Sequence, residues 1–339
     1  MSDRRTIRVE GPYFEDLERG QVFDDAPALT LTSGHAALHQ AIAGDRMRLA
    51  LDEPLCRQVT GGERMLAHPN LVCDVAIGQS TGPTQRVLGN LFYRGLILLR
   101  PVFVGDTLRT RTEIVALKQN KRRGSGIETG LAALRMRTEN QNGEPVLDFW
   151  RCPMLPLRDP DADTGNADPM DGIPAELDEE AVASAVPDGW NYGPLRERVG
   201  TASGLEPGTV LELDGRETVT AAPELARLIL NLAKTHTDAG SGARGRRLVY
   251  GGQTIAIAAA HATRALPSLA TIVAWRSCEH SRPVFEGDIL STVVTIVTKS
   301  GIDSADAELS ELRAVVRADR GDGEPAEQVL DWSFLGILA

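Results

Sequence analysis

The amino-acid sequence predicts an α+β fold in which an antiparallel sheet wraps around a long central helix, and it predicts this unit twice. The first observation is an internal repeat: Arg100-Pro-Val-Phe-Val-Gly-Asp-Thr-Leu recurs as Arg282-Pro-Val-Phe-Glu-Gly-Asp-Ile-Leu, 182 residues later. The second is that Val146-Leu-Asp-Phe recurs as Val329-Leu-Asp-Trp, at an offset of 183. Matches in the same order at almost one offset indicate a duplicated domain.

Composition places the boundaries between the two halves. We assign residues 1–157 to an N-terminal domain, 158–190 to an acidic linker and 191–339 to a C-terminal domain. The linker is rich in Asp, Glu, Pro, Gly and Ala, which is typical of an exposed connection, although residues 175–185 could form a short helix.

The two halves share one order of elements: a helix, a loop, a second helix and then β-rich runs. The predicted helices cover about 34–44 and 69–80 in the first half, and about 223–236 and 252–265 in the second. The predicted strands cover 86–103, 107–118, 128–138 and 146–155, then 270–276, 288–299, 308–317 and 329–335. Helix 252–265 carries mostly small residues on every side, which favours close packing all round and a central position.

Charge and hydropathy exclude several classes of protein. The net charge of −11 does not suit a nucleic-acid-binding protein, which needs a basic surface. No apolar run approaches the roughly 18 residues of a membrane span, and the N-terminus lacks the apolar core of a signal peptide. The four cysteines are widely spaced without a CxxC pair, so we expect reduced, structural thiols in a cytoplasmic protein.

The candidate site lies between residues 224 and 265. An amphipathic helical pattern ends at His236 and Asp238, which places a histidine beside a carboxylate. Fourteen residues after His236, Tyr250-Gly251-Gly252 opens the buried second helix. An acid–base pair followed by a glycine-opened helix is a plausible catalytic arrangement.

The order of motifs resembles the MaoC-like hydratases, whose hot-dog domains wrap a sheet around a central helix. The residues that carry the resemblance are Val219-Thr220, Asn231 with His236, Leu248-Val-Tyr-Gly251 and Arg282-Pro-Val-Phe-Glu-Gly-Asp288. Together with Phe14-Glu-Asp-Leu, Gly20-Gln-Val-Phe, Ala76-Ile-Gly-Gln-Ser-Thr and Asn90-Leu-Phe-Tyr-Arg-Gly, they make the whole chain similar to the double hot-dog mesaconyl-CoA hydratase (β-methylmalyl-CoA dehydratase) group.

Two departures from the MaoC-like pattern concern the candidate site. Asn231 replaces the aspartate of the family, and an amide cannot accept a proton from water. The proline that breaks the helix before the histidine is also absent. Residues five apart in a continuous helix point about 140° from each other, so Asn231 and His236 can share a site only if the helix ends between them. Asp238 could then supply the missing carboxylate.

The first half lacks the corresponding chemistry. Gly44-Asp45 is retained, but Ala50 stands where the histidine is expected. His68 is followed by Pro69, which has no N–H to offer a ligand. We therefore predict a catalytically silent N-terminal site. His35 and His39 lie four apart, as a metal would require, but no third ligand is evident, so we predict no metal site.

The resemblance implies a hydro-lyase that adds water to, or removes it from, an enoyl-CoA thioester. His236 would be the acid–base residue, Asp238 or Asn231 would orient the water, and the Gly251 N–H would polarise the thioester carbonyl. Tyr250 and Gly252 would line the substrate site. The basic runs 118–124 and 244–247 could instead be solvated charge; if functional, one would bind the CoA phosphates. The other, with Arg244, Arg246 and Arg247, would bind a free acyl carboxylate.

No cofactor is expected beyond the CoA of the substrate, and a homodimer is possible. Two other functions fit the same sequence. A thioesterase would release free CoA, and a non-catalytic acyl-CoA-binding protein would explain why Asn231 has replaced the aspartate.

Overall fold

In the computed structural model, residues 6–7, 9–122, 126–202, 204–242, 245–302 and 306–339 are described. The helices of the first half are α1 (Ser33–Ala43), α2 (Glu53–Thr60) and α3 (Pro69–Gln79). Its strands are β1 (Val22–Phe23), β2 (Leu29–Thr30), β3 (Gly89–Arg94), β4 (Leu96–Ile97), β5 (Thr107–Gln119), β6 (Thr129–Glu139) and β7 (Pro145–Pro156).

The connecting segment and the start of the second half contribute α4 (Glu179–Ala185) and α5 (Gly193–Val199). The second half continues with β8 (Val210–Glu212), β9 (Glu217–Thr218), α6 (Ala222–Leu228), α7 (Lys234–Thr237) and α8 (Gly251–Ala265). Its long strands are β10 (Leu269–His280), β11 (Ile289–Gly301), β12 (Glu308–Asp319) and β13 (Glu327–Leu338).

Two antiparallel sheets carry the fold. One has the order β1-β5-β6-β7-β3, with β2 also on β5; the other has the order β4-β10-β13-β12-β11-β8, with β9 also on β11. Strand β4 belongs to the first half in sequence but pairs with β10 of the second. The residue that follows β4, Leu98, forms a bridge to Leu147 of β7. The segment around β4 therefore joins the two sheets.

Each sheet packs on its own buried helix, α3 in the first half and α8 in the second. Every residue of α3 is buried, and so are residues 252–263 of α8. Since alanine and glycine occupy little volume, the run Ala258-Ala-Ala260 lets α8 approach its sheet and α3 closely. The duplicated α+β architecture predicted from the repeat is confirmed. No helix in the described ranges has the length and apolar character that crossing a bilayer would need.

The prediction of one helix over 223–236 is wrong. Helix α6 ends at Leu228, Leu230 adopts a left-handed conformation with φ of 62°, and α7 begins only at Lys234. The first half holds this break in place, because the Leu232 N–H donates to Thr81 Oγ1 at 2.9 Å. The Lys234 N–H donates to the Gln85 carbonyl at 3.1 Å.

The expectation that 158–190 is an exposed linker is also wrong in part. Leu177, Val182, Ala185 and Trp190 are buried in an apolar cluster against β10 and β13. The short helix that 175–185 could form is present as α4. Val182 and Ala185 are three residues apart and therefore share one face of α4, while Leu177 and Trp190 lie before and after the helix.

Candidate active site between the halves

One cavity contains four of the nine site residues that the sequence singled out: Asn231, His236, Tyr250 and Gly251. Its volume is about 340 Å³, and both halves line it. The first half contributes Ile77, Thr81, Val87, Leu88, Gly89, Asn90, Tyr93 and Arg151; the second contributes Asn231, Ala233, Thr235, His236, Leu248, Val249, Tyr250, Gly251, Thr254, His280, Ser281, Arg282, Pro283 and Val284. The site is therefore built by the interface between the two repeats.

His236 lies in the short helix α7 and is buried, with 8% of its surface exposed. Its Nδ1 lies 2.9 Å from the Leu248 carbonyl oxygen. A carbonyl can only accept, so Nδ1 carries the proton and Nε2 is left with a free lone pair. Burial lowers the pKa of His236 to about 4, with Arg151 acting in the same direction and the Leu248 hydrogen bond opposing it. The imidazole is thus neutral and basic at Nε2 near pH 7.

Asn231 lies in the break between α6 and α7, which is why it can share the cavity with His236. Its Oδ1 accepts a hydrogen bond from the Ala233 N–H at 2.9 Å. That bond assigns the amide orientation and leaves Nδ2 as a donor. Within the described part of the chain, no group accepts a hydrogen bond from Nδ2.

Gly251 begins α8, and the N–H groups of the first helical turn have no acceptor within a helix. The Gly251 position has no room for a side chain, because a Cβ would lie 2.7 Å from His280 Nε2. Tyr250 precedes the helix, with its ring 5.7 Å from the His236 ring in an edge-on arrangement. The positive end of the helix dipole and a free N–H therefore meet at the cavity wall beside His236.

Two residues of the first half complete the wall and were missed in the sequence. Arg151 of β7 and Tyr93 of β3 are paired across the strands, so both side chains reach the cavity. A signal for Arg151 was available: strand alternation puts it on the same face as Leu147 and Phe149, which are buried. A charged residue on the inner face of a strand is unusual and indicates a special partner.

His280 also lines the cavity, at the end of β10. Part of its side chain faces the cavity, but protein surrounds the rest, and this burial lowers its pKa to about 4. His280 packs onto Gly251, so it closes the wall behind the start of α8.

Several predicted site residues lie elsewhere. Asp238 is exposed and accepts hydrogen bonds from the Gly240 N–H at 2.9 Å and from Ser241 Oγ at 2.6 Å, so it shapes a turn outside the cavity wall. The Ser241 bond lowers the pKa of Asp238. Gly252 is buried against Asp74 and the Tyr250 ring, where its missing side chain makes room for the Asp74 carboxylate. Neither position agrees with the predicted contact with substrate.

Two of the three predicted acyl-binding arginines, Arg246 and Arg247, are likewise outside the cavity wall. Arg246 lies over the Phe285 ring at 4.5 Å and donates to the Glu286 carbonyl at 3.1 Å. Arg247 forms an ion pair with the Glu286 carboxylate. Both guanidinium groups therefore already have a partner in the second half, the carbonyl of Glu286 for Arg246 and its carboxylate for Arg247. Arg244 lies outside the described residues.

The described residues of the basic run 118–124 do not line the cavity either. Arg122 donates to the Asp161 carbonyl and lies 3.8 Å from the Asp161 carboxylate, in the segment between the halves. Arg123 and Gly124 fall outside the described residues. The contacts of Arg122 favour the interpretation of this run as surface charge.

The equivalent positions of the first half form a buried polar cluster. Asp45 Oδ1 lies 3.1 Å from His68 Nε2 and accepts a hydrogen bond from the Met47 N–H at 2.6 Å. Burial raises the pKa of Asp45, but His68, the Met47 N–H and His39 together outweigh burial and lower the pKa below its usual value. His39 lies in the same cluster, 3.3 Å from Asp74. None of these four side chains lines the cavity.

Comparison with known proteins identifies relatives with the same double hot-dog fold and assigns the chain to a family. A sequence profile described as mesaconyl-CoA hydratase matches residues 1–299. A β-methylmalyl-CoA dehydratase from Chloroflexus aurantiacus is 29% identical over 97% of this chain and 97% of its own, and a mesaconyl-CoA hydratase from Cereibacter sphaeroides is 29% identical over 93% and 91%. A conserved hypothetical protein of Mycobacterium tuberculosis with a double hotdog fold is 48% identical, with a TM-score of 0.88 over 98% of this chain and 100% of its own.

These matches run through both repeats and the segment between them, in agreement with the resemblance read from the motifs. The chain therefore belongs to the mesaconyl-CoA hydratase family.

Proposed function

We propose that the cavity between the halves hydrates the C2–C3 double bond of mesaconyl-CoA, or dehydrates β-methylmalyl-CoA in the reverse direction. Family membership supports a hydratase or dehydratase of the lyase class acting on an acyl-CoA thioester. The observation that carries the residue assignment is His236: a buried, neutral imidazole whose Nε2 is free at the cavity wall.

His236 acts as the base in the hydration direction. Nε2 takes a proton from water while the water oxygen forms a bond to C3 of the enoyl group, and the electrons of the double bond move toward the thioester oxygen. The imidazolium then returns a proton to C2, which regenerates the neutral histidine. One residue thus moves one proton out and one back, and the net change is addition of one water molecule.

Asn231 orients the water rather than deprotonating it. Its Oδ1 is held by the Ala233 N–H, so Nδ2 is the group available to hydrogen-bond the water oxygen. This places the whole proton-transfer task on His236, because an amide cannot accept the proton.

Gly251 stabilises the enolate. Its N–H, together with the dipole of the 15-residue helix α8, supplies positive potential where negative charge develops on the thioester oxygen. The roles proposed from the sequence for His236, Asn231, Gly251 and Tyr250 thus stay as proposals with a common site, whereas Asp238 has no part in it.

Side chains can carry all these proton transfers, so we propose that the reaction uses no cofactor beyond the CoA of the substrate. The cytoplasmic location and the homodimer expected from the sequence remain predictions.

The test is an assay of the purified protein with mesaconyl-CoA and with crotonyl-CoA, following enoyl-thioester absorbance and free thiol together. We expect loss of absorbance without thiol release, and we expect His236→Ala to abolish it. Release of free CoA would identify a thioesterase instead. Tight binding of both compounds without turnover would identify a non-catalytic acyl-CoA-binding protein.

A further inference from the structure

Arg151 is a buried cation with an incomplete set of partners. Only 3% of its surface is exposed. Nε donates to Ser80 Oγ at 3.1 Å, and Nη2 donates to the Ser80 carbonyl and to Thr84 Oγ1, each at 2.9 Å. All three acceptors are neutral. No carboxylate in the described ranges lies within ion-pair distance, and none accepts a hydrogen bond from Nη1.

An unpaired buried charge is costly, because burial removes its hydration without supplying an opposite charge. Burial accordingly lowers the pKa of Arg151, although an arginine stays protonated at neutral pH. The three neutral acceptors fix the guanidinium plane and turn its remaining edge to the cavity. The arrangement is that of a preformed anion site.

Tyr93 adds a second donor beside Arg151. It is the cross-strand partner of Arg151, it also lines the cavity, and its ring is fixed edge-on against Trp275 at 5.7 Å. Its side chain lines the cavity, and its hydroxyl makes no hydrogen bond to any residue that the structure describes. A guanidinium edge and a hydroxyl on adjacent strands match the two oxygens of a carboxylate.

The rest of the cavity wall agrees with an anionic occupant. Its described lining contains no aspartate or glutamate, while Arg282 lies on the wall in an ion pair with Glu327, at 3.3 Å. The His236 and Gly251 positions belong to the second half, and the Arg151 and Tyr93 positions to the first. A short acyl chain that spans the cavity would therefore meet the catalytic groups and the anion site together.

We propose that Arg151 and Tyr93 bind the free carboxylate of the acyl chain, so that the first half selects monothioesters of short dicarboxylic acids. This inference rests on the proposed function, since it assumes that the thioester binds at Gly251. The sequence suggested Arg246 and Arg247 in the second half as part of the acyl-carboxylate site. The proposed site instead lies in the first half, at Arg151 and Tyr93.

The test compares mesaconyl-CoA with tiglyl-CoA, which carries a methyl group in place of the carboxylate. Dissociation constants are measured by calorimetry in the inactive His236→Ala background, with and without Arg151→Gln. We expect Arg151→Gln to weaken mesaconyl-CoA binding about 100-fold and tiglyl-CoA binding less than about 3-fold. Tyr93→Phe should weaken mesaconyl-CoA selectively by about 10-fold. Arg246→Gln is the matched control and should change neither affinity.

Equal losses for both thioesters would overturn the role of Arg151, and so would equal affinities of the unsubstituted His236→Ala protein for the two. If Arg151→Gln does not fold by circular dichroism, Arg151→Lys keeps the charge without the planar fork, and the Tyr93→Phe comparison still decides. The proposed function fails separately, if the natural sequence does not hydrate mesaconyl-CoA at all.

Discussion

The two repeats place polar residues at equivalent positions but leave them in different states. In the first half, Asp45 is engaged by His68 and by the Met47 N–H. In the second half, no described residue hydrogen-bonds to Asn231 Nδ2 or to His236 Nε2, and both side chains line a cavity. A polar group that the protein satisfies contributes to folding, whereas one that the protein leaves free at a cavity wall is available to a ligand.

The first turns of α3 and α8 also differ in whether their N–H groups are available to a ligand. Helix α3 begins with Pro69, which lacks an N–H, and the His68 side chain already accepts from the Asn70 N–H at 3.1 Å. Helix α8 begins with Gly251, whose N–H is free at the cavity. The two repeats thus share one fold, but only the second half leaves the Gly251 N–H and the His236 imidazole available to a substrate.

The largest effect is expected at His236. His236→Gln removes the base and should lower kcat/KM for mesaconyl-CoA by about 1,000-fold, within the range for loss of a general base. Steady-state hydration kinetics measure it. Asp238→Asn is the control: because Asp238 is exposed in a turn, this variant should stay within about 2-fold of the natural sequence. A large loss in Asp238→Asn would restore the acid–base pair suggested by the sequence.

The Asp45–His68 pair should contribute to stability and not to the chemical step. Asp45→Asn leaves a buried His68 without its carboxylate, so we expect the free energy of unfolding to fall by about 3 kcal/mol. Urea unfolding measures it. The kcat of the folded variant should be unchanged; a loss of kcat with normal stability would mean that the first site takes part in the reaction.

Gly251 and Pro69 give a matched pair at the two helix starts. In Gly251→Ala, the new Cβ would lie 2.7 Å from His280 Nε2, so either α8 or His280 must shift and the oxyanion donor moves with it. We expect kcat to fall by about 100-fold. Pro69→Ala should leave kcat unchanged, because no substrate contacts that helix start. Similar losses in both variants would indicate general disruption.

The smallest change concerns the pH dependence. Because burial lowers the pKa of His236 to about 4, its basic form persists at acidic pH, and kcat/KM should decline only as the pH falls toward 4. Asn231→Asp brings a carboxylate close to the imidazole and favours its protonated form. The acidic limb of the pH–rate profile should then move to higher pH by about one unit. An acidic limb near 6.5 in the natural sequence would contradict the buried, neutral imidazole.

The parts of the molecule that depend on local sequence could be predicted. The repeat fixes the two halves, and the small residues of α8 indicate a helix buried on all sides. The predicted helix began at about residue 252, one residue after the observed start at Gly251. The resemblance then supplied the pairing of Asn231 with His236, which the described cavity contains.

The remainder depends on contacts between the halves. The break between α6 and α7 needs the Thr81 and Gln85 acceptors, about 150 residues earlier in the chain. A run of basic residues in the sequence does not show whether each charge already has a partner in the fold. Arg246 and Arg247 were therefore favoured, although Arg246 donates to the Glu286 carbonyl and Arg247 forms an ion pair with the Glu286 carboxylate. Strand alternation can place Arg151 on the inner face of β7, but only the fold brings that face to the cavity.

The central claim is that each chain has one working site, built at the interface of the two repeats. The most direct measurement is a calorimetric titration of the His236→Ala protein with mesaconyl-CoA, which gives the number of ligands bound per chain. We predict one per chain, since the first-half positions are occupied by the Asp45–His68 pair. Two per chain would contradict the account, because both repeats would then bind substrate.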